Sequence, residues 1–170
     1  MISPGTTAPT FRLPEIGSRR ASTNRRTPRH ALGEYIDRGP ALVVFCPARF
    51  LGRGFRRKPY VSDLAWFSVS DVSCLVITGW GTEGDYSPET AIPGPVLHDG
   101  PGIVADAYDV ERDHGTGGIF VVEESRVIQY THQLTEAFDE TDLRVLSRRV
   151  DQSHSSTNDR FTDTIHDEAH

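Results

Sequence analysis

Ala41-Leu-Val-Val-Phe-Cys46 is six consecutive apolar residues with proline on both sides, at Pro40 and Pro47. A strand exposed to water on one face alternates apolar and polar residues. An unbroken apolar run of this length, fenced by residues that cannot continue a ladder, is the pattern of a strand covered on both faces. Val72 to Thr78 repeats the pattern, and the glycine-rich stretch Gly79 to Asp85 follows it. Between these two runs, Pro59 opens a segment from Tyr60 to Phe67 in which Val61, Leu64 and Ala65 have helical spacing. A helix of about two turns is expected there, between the two buried strands.

Outward from that centre the elements shorten. Thr10-Phe-Arg-Leu alternates like a brief strand, and Ala31 to Ile36 predicts a short helix ended by Arg38-Gly39-Pro40. Ser87-Pro88-Glu89 is a helix start that Pro93 and Pro95 stop almost at once. Gly102 to Tyr108 predicts a short helix through Ile103, Val104 and Ala107. Gly118 to Glu123 and Arg126 to Tyr130 predict a hairpin. Residues 139–150 predict an amphipathic helix with Leu143, Leu146 and Val150 on one face. Strands alternating with helices and ending in a hairpin give an α/β sandwich, a mixed central sheet flanked by helices. One domain is expected over residues 1–150, with a mobile loop at 17–30 and a polar, disordered tail at 151–170.

Composition narrows the function classes. The chain has 170 residues, 36% of them hydrophobic, enough for one core, and no run approaches the roughly 18 apolar residues of a membrane span. No apolar leader follows Met1, so a cytoplasmic protein is expected. Two cysteines, Cys46 and Cys74, are too few for a disulfide scaffold and have no metal-ligand spacing. Residues 1–60 carry 12 Lys+Arg against 3 Asp+Glu, and residues 61–170 carry 6 against 21. The two regions either screen one another or leave an anion site on the basic one.

Several phrases fall in an order that resembles the alkyl hydroperoxide reductase/thiol-specific antioxidant family, the peroxiredoxins. They are Ala8-Pro-Thr-Phe-Arg-Leu-Pro14, Val43-Val-Phe-Cys-Pro-Ala-Arg-Phe50, Val96-Leu-His-Asp99, Val104-Ala-Asp-Ala-Tyr-Asp-Val110 and Ile119-Phe-Val-Val-Glu123, spanning about residues 5–148. The resemblance implies a thioredoxin-like fold and a thiol-dependent peroxidase, working with a thiol reductant such as thioredoxin and often dimeric. That chemistry uses a cysteine thiolate at a helix N-terminus and arginine to hold the peroxide. Where the family has proline, threonine and the attacking cysteine, this chain has Pro47, Leu51 and Gly54. The family's second arginine falls on Gly117, and an acid expected on the following helix falls on Arg57. The resemblance therefore implies a member that has lost peroxidase chemistry and serves as a scaffold or binding module.

Two alternatives remain at the sequence level. Cys46 is a weak candidate for a displaced redox thiol, with Arg49 and Arg53 available to lower its pKa; otherwise it is a core cysteine. Cys74, inside an apolar run, is expected in the core. Arg49, Arg53, Arg56 and Arg57 form a candidate anion site, or else solvate a loop. A second basic run, Arg19, Arg20, Arg25, Arg26 and Arg29, has no interleaved aromatics, which argues against nucleic acid. His98, His114 and His132 lack ligand spacing, and Gly115 to Gly118 precedes a strand instead of a helix, so neither metal nor phosphate binding is expected. No cofactor is implied.

Overall fold

The structure, a computed structural model, describes residues 1–16, 27–47, 72–79, 94–112, 116–134 and 144–153. Its centre is the strand anticipated first. β3 (Ala41–Phe45) is entirely buried, all five residues at 0% exposure. It pairs in parallel with β4 (Ser73–Thr78), Leu42 opposite Cys74 and Phe45 opposite Ile77, and antiparallel with β6 (Gly117–Val122), Phe45 opposite Gly118. β5 (Val96–His98) adds in parallel to β4, and β7 (Ile128–Leu134) adds antiparallel to β6. The five-stranded order is β5-β4-β3-β6-β7, a mixed sheet. A smaller two-stranded sheet pairs β1 (Arg12–Pro14) with β2 (Arg29–Ala31).

Alternation along β3 separates two cores. Leu42, Val44 and Cys46 face one side with Cys74, Val76, Ile119 and Val121. They are covered by Leu146 and Val150 of α3, the helical residues 144–153. Ala41, Val43 and Phe45 face the other side with Leu75, Ile77 and Phe120. That side is covered by Leu32, by Ile36 of α1 (Gly33–Ile36), by Val104 and Ala105 of α2 (Ile103–Ala107), and by Tyr108 just after it. Helices on both faces of a mixed sheet make the α/β sandwich expected from the alternation of elements. Tyr108 is the hub of the second core. Its ring lies 4.9 Å from that of Phe45, 5.0 Å from Phe120 and 6.4 Å from Phe11, and its hydroxyl donates to the Pro9 carbonyl at 2.9 Å. Each such ring pair contributes about 0.5–1.5 kcal/mol beyond the area buried.

Several boundaries differ from the sequence expectation. The end of the 17–30 segment is not loop: Arg29 and His30 belong to β2, held by hydrogen bonds to β1, and Ala31 closes that strand, so α1 begins only at Gly33. The first strand is Arg12–Pro14 and continues into a bridge from Glu15 to Leu97 of β5, which joins the two sheets. In α2 the buried residues are Val104 and Ala105, while Ile103 is 68% exposed and Ala107 is exposed. The polar tail does not begin at Asp151, because the helix runs on through residue 153. There Ser153 is buried and its hydroxyl donates to the Arg149 carbonyl at 3.0 Å. The helix expected at Tyr60 to Phe67, the start at Ser87 and the position of Leu143 lie outside the described residues.

Candidate functional site

Three parallel strands end on one side of the sheet, and in open α/β sheets that is the side where ligands bind. β3 ends at Cys46 and Pro47, β4 at Thr78 and Gly79, and β5 at His98 and Asp99, with Gly117 entering alongside on antiparallel β6. Arg49, Leu51, Arg53, Gly54, Arg56 and Arg57 lie outside the described residues.

Cys46 continues the β3 ladder by donating its N–H to the Ile77 carbonyl at 2.9 Å. Its side chain is fully buried, and the thiol donates to the Pro47 carbonyl at 3.6 Å. Burial pushes this thiol far above the usual cysteine range, so it is protonated at any physiological pH. Burial also pushes the Cys74 thiol up, to about 12. Both cysteines project from the same face of the sheet. Since Cys74 sits opposite Leu42, Cys46 is offset from it by four residues, or ~13 Å along the strands. A disulfide needs Cα atoms within about 7 Å, so the two thiols cannot join without dismantling the sheet.

Gly117 is pinned by its neighbours. A β-carbon there would collide with the Phe45 carbonyl oxygen and lie 3.1 Å from the Phe45 carbonyl carbon and 3.4 Å from Cδ of buried Pro47. No side chain of any length fits this backbone at position 117. Gly117 thus packs against the Phe45 backbone and the Pro47 ring with no room for a side chain.

The opposite side is organised by Asp99, 1% exposed. Its carboxylate accepts from the Ala105 N–H at 2.9 Å, its carbonyl accepts from the Gly102 N–H at 3.0 Å, and its own N–H donates to the Thr78 carbonyl at 2.7 Å. Gly102 occupies the left-handed region at φ 73°, which lets the chain turn into α2 under this carboxylate. Asp99 is therefore a structural clasp that ties the end of β5 to the start of α2.

Among the described residues no group of three or more potential ligands could hold a metal ion. His98 and His132 stand on β5 and β7, the opposite edges of the sheet, ~19 Å apart over four strand spacings. His114 lies outside the described residues.

One constellation escaped the sequence. Imidazole Nε2 of His30 on β2 lies 3.1 Å from a Glu15 carboxylate oxygen, and its Nδ1 lies 2.6 Å from the Tyr35 hydroxyl on α1. These three residues span a polar, basic stretch with no hydrophobic period. Only the β1–β2 register and the placement of α1 after β2 bring them together.

No protein-family model matches the chain, and no curated protein matches it. Solved structures do match over most of its length. Mycobacterium bovis AhpC superposes with a TM-score of 0.66 at 16% identity, covering 88% of this chain and 91% of its own. The reduced 2-Cys peroxiredoxin of Plasmodium vivax gives 0.63 at 16% identity, covering 92% and 99%. The thioredoxin domain of a thiol-disulfide oxidoreductase from Bacteroides vulgatus gives 0.58 at 16% identity, covering 88% and 99%. The chain has a peroxiredoxin-like variant of the thioredoxin fold, as its phrases in order implied.

Proposed function

We propose that this redoxin domain has lost thiol peroxidase activity and acts as a scaffold or binding module. The observation that carries the proposal is the state of its two thiols. A peroxidatic cysteine must be reachable and ionised. Cys46, the thiol nearest the strand-end mouth, is fully buried and held protonated, and Cys74 is buried farther back along the sheet. Further support comes from position 117. An arginine there, which the family resemblance would place beside the peroxide, does not fit against Phe45 and Pro47. The absence of cysteine at Gly54, and of any cysteine between Cys46 and Cys74, leaves no substitute thiol in the connecting segment. The alternative, a redox role for Cys46, loses support for the same reason: neither the exposure nor the depressed pKa it requires is present.

An assembly of two copies belongs to the same proposal. Among the described residues β7 is the last strand of the sheet, and at seven residues it is the kind of edge that invites pairing. Light scattering on the purified chain measures this directly, with twice the 18.9 kDa chain mass expected.

Peroxide consumption under a thiol reductant, compared between the native chain and Cys46→Ser, tests the loss of activity, with intact-mass measurement for sulfenic acid. Neither protein is expected to consume peroxide above background. Turnover by the native chain that disappears in Cys46→Ser would establish Cys46 as a working nucleophile and overturn the proposal.

A further inference from the structure

The constellation of Glu15, His30 and Tyr35 has the form of an activated nucleophile: a hydroxyl on an imidazole, with the imidazole oriented by a carboxylate. Tyr35 Oη and His30 Nδ1 are 2.6 Å apart, within proton-transfer reach, and the Glu15 carboxylate, 3.1 Å from Nε2, fixes the tautomer in which Nε2 carries the proton and Nδ1 accepts. Each member is positioned by regular pairing. Glu15 bridges to Leu97 and its N–H donates to the Pro28 carbonyl, His30 sits opposite Leu13 in the β1–β2 ladder, and Tyr35 stands on α1 with its N–H donating to Leu32. All three side chains are partly exposed, so the group faces solvent from a rigid frame.

The surrounding charge decides the chemistry. The phenol pKa is raised, first by burial and then by the carboxylates of Glu34 and Glu15, against the weaker opposite effect of Arg38. Glu34 itself lies 3.8 Å from Arg12 and accepts from the Ala31 N–H at 3.4 Å. A free phenolate is therefore disfavoured, and Tyr35 gains nucleophilicity only if a base takes its proton during attack. A base-assisted phenol attacks neutral acyl donors directly, without a metal ion or a bound cation to offset charge on the electrophile.

We propose that Tyr35 is an acyl-accepting nucleophile, with His30 as its general base and Glu15 as the positioning carboxylate, and that its reagents are uncharged activated acyl esters. In the step, the Tyr35 oxygen bonds to the acyl carbon while its proton passes to His30 Nδ1. The bond from the acyl carbon to the leaving oxygen breaks, and the leaving group departs with that electron pair as alkoxide or phenolate. The imidazolium, steadied by Glu15, then releases its proton to solvent. Nothing is oxidised or reduced.

The test uses p-nitrophenyl acetate on the full chain, with peptide mass mapping of all five tyrosines over time and hydroxylamine to separate phenolic esters from amides. Tyr35 is expected to acylate fastest, and His30→Gln is expected to slow it by about tenfold or more. Glu15→Gln keeps an oxygen acceptor for Nε2 but removes the charge, so it is expected to preserve the circular dichroism spectrum while slowing Tyr35. In the native chain the Tyr35 rate should level off with rising pH, as a base-assisted attack does. A rate at Tyr35 no greater than at Tyr130 overturns the proposal. So does an undiminished rate in a folded His30→Gln or Glu15→Gln, or a native rate that climbs with pH without a plateau, the mark of plain phenolate attack. The pH profile needs no variant and decides the matter even if His30→Gln does not fold.

Discussion

Replacing Gly117 with alanine adds one methyl group at a place where none fits. The new β-carbon collides with the Phe45 carbonyl oxygen and sits 3.1 Å from the carbonyl carbon, inside the ~3.5–4.0 Å separation of packed carbons. β6 must then move off β3 at the start of their ladder, where Phe45 is paired with Gly118. Overpacking of this sort costs about 1–3 kcal/mol, and loss of a ladder hydrogen bond about 1 kcal/mol more, for a total near 2–4 kcal/mol. At about 2–4 °C per kcal/mol for a chain of this size, Tm should fall by roughly 4–16 °C. The internal control is Gly33→Ala. Gly33 opens α1 with nothing within 4 Å of its added methyl, so that change should be neutral or stabilising by up to about 1 kcal/mol. Urea denaturation and calorimetry on both variants measure the difference. A Gly117→Ala protein within about 0.5 kcal/mol of the native chain would refute the claim that backbone contact seals this position. It would also return position 117 to the set of places where a longer side chain could act.

Two further outcomes follow from the buried groups. The thiols of Cys46 and Cys74 are protonated in the folded chain well beyond pH 10, while in the unfolded chain cysteine ionises near 8.5. The folded pKa is the raised one, so stability is intact below pH 8.5 and declines above it. The decline reaches about 4 kcal/mol for the two thiols together by pH 10. Chemical denaturation across pH 7–10 should show this slope in the native chain and a much flatter one in Cys46→Ala/Cys74→Ala; equal slopes would contradict thiol ionisation as the cause. Asp99→Ala leaves the Ala105 N–H without its acceptor and should cost about 1–2 kcal/mol, with amide exchange at residues 103–107 accelerating more than exchange in β3. Uniform acceleration would contradict the assignment of Asp99 to that helix start.

The sheet's centre was legible because its residues carry their burial in their identity. β3 and β4 are continuous apolar runs, and nothing but a two-sided core accommodates them. Val96-Leu-His and the hairpin strands were readable from the family phrases and from alternation. β2 was not legible, because Arg29 and His30 join a strand through backbone pairing with β1 and bring no hydrophobic pattern. The end of α3 was missed for a similar reason: Ser153 is polar by type, yet its hydroxyl returns to the Arg149 carbonyl and lets it be buried. The mouth at Cys46 and Pro47 could be located from sequence. The inaccessibility of Cys46 and the tightness at Gly117 are products of register between strands more than seventy residues apart, which no local pattern encodes.

β3 is flanked by β4 on one side and by β6 on the other, and the order in which those neighbours leave a ribosome is fixed. The β4 partner is finished by Thr78, but Val122, which sits opposite Ala41, follows Phe45 by 77 residues. At about 5–20 residues per second that separation is roughly 4–15 s of synthesis. Throughout it, one flank of the most hydrophobic strand in the chain waits with its N–H and C=O groups unmatched. Among the described strands, that flank gains its partner only when the hairpin of β6 and β7 arrives to close it.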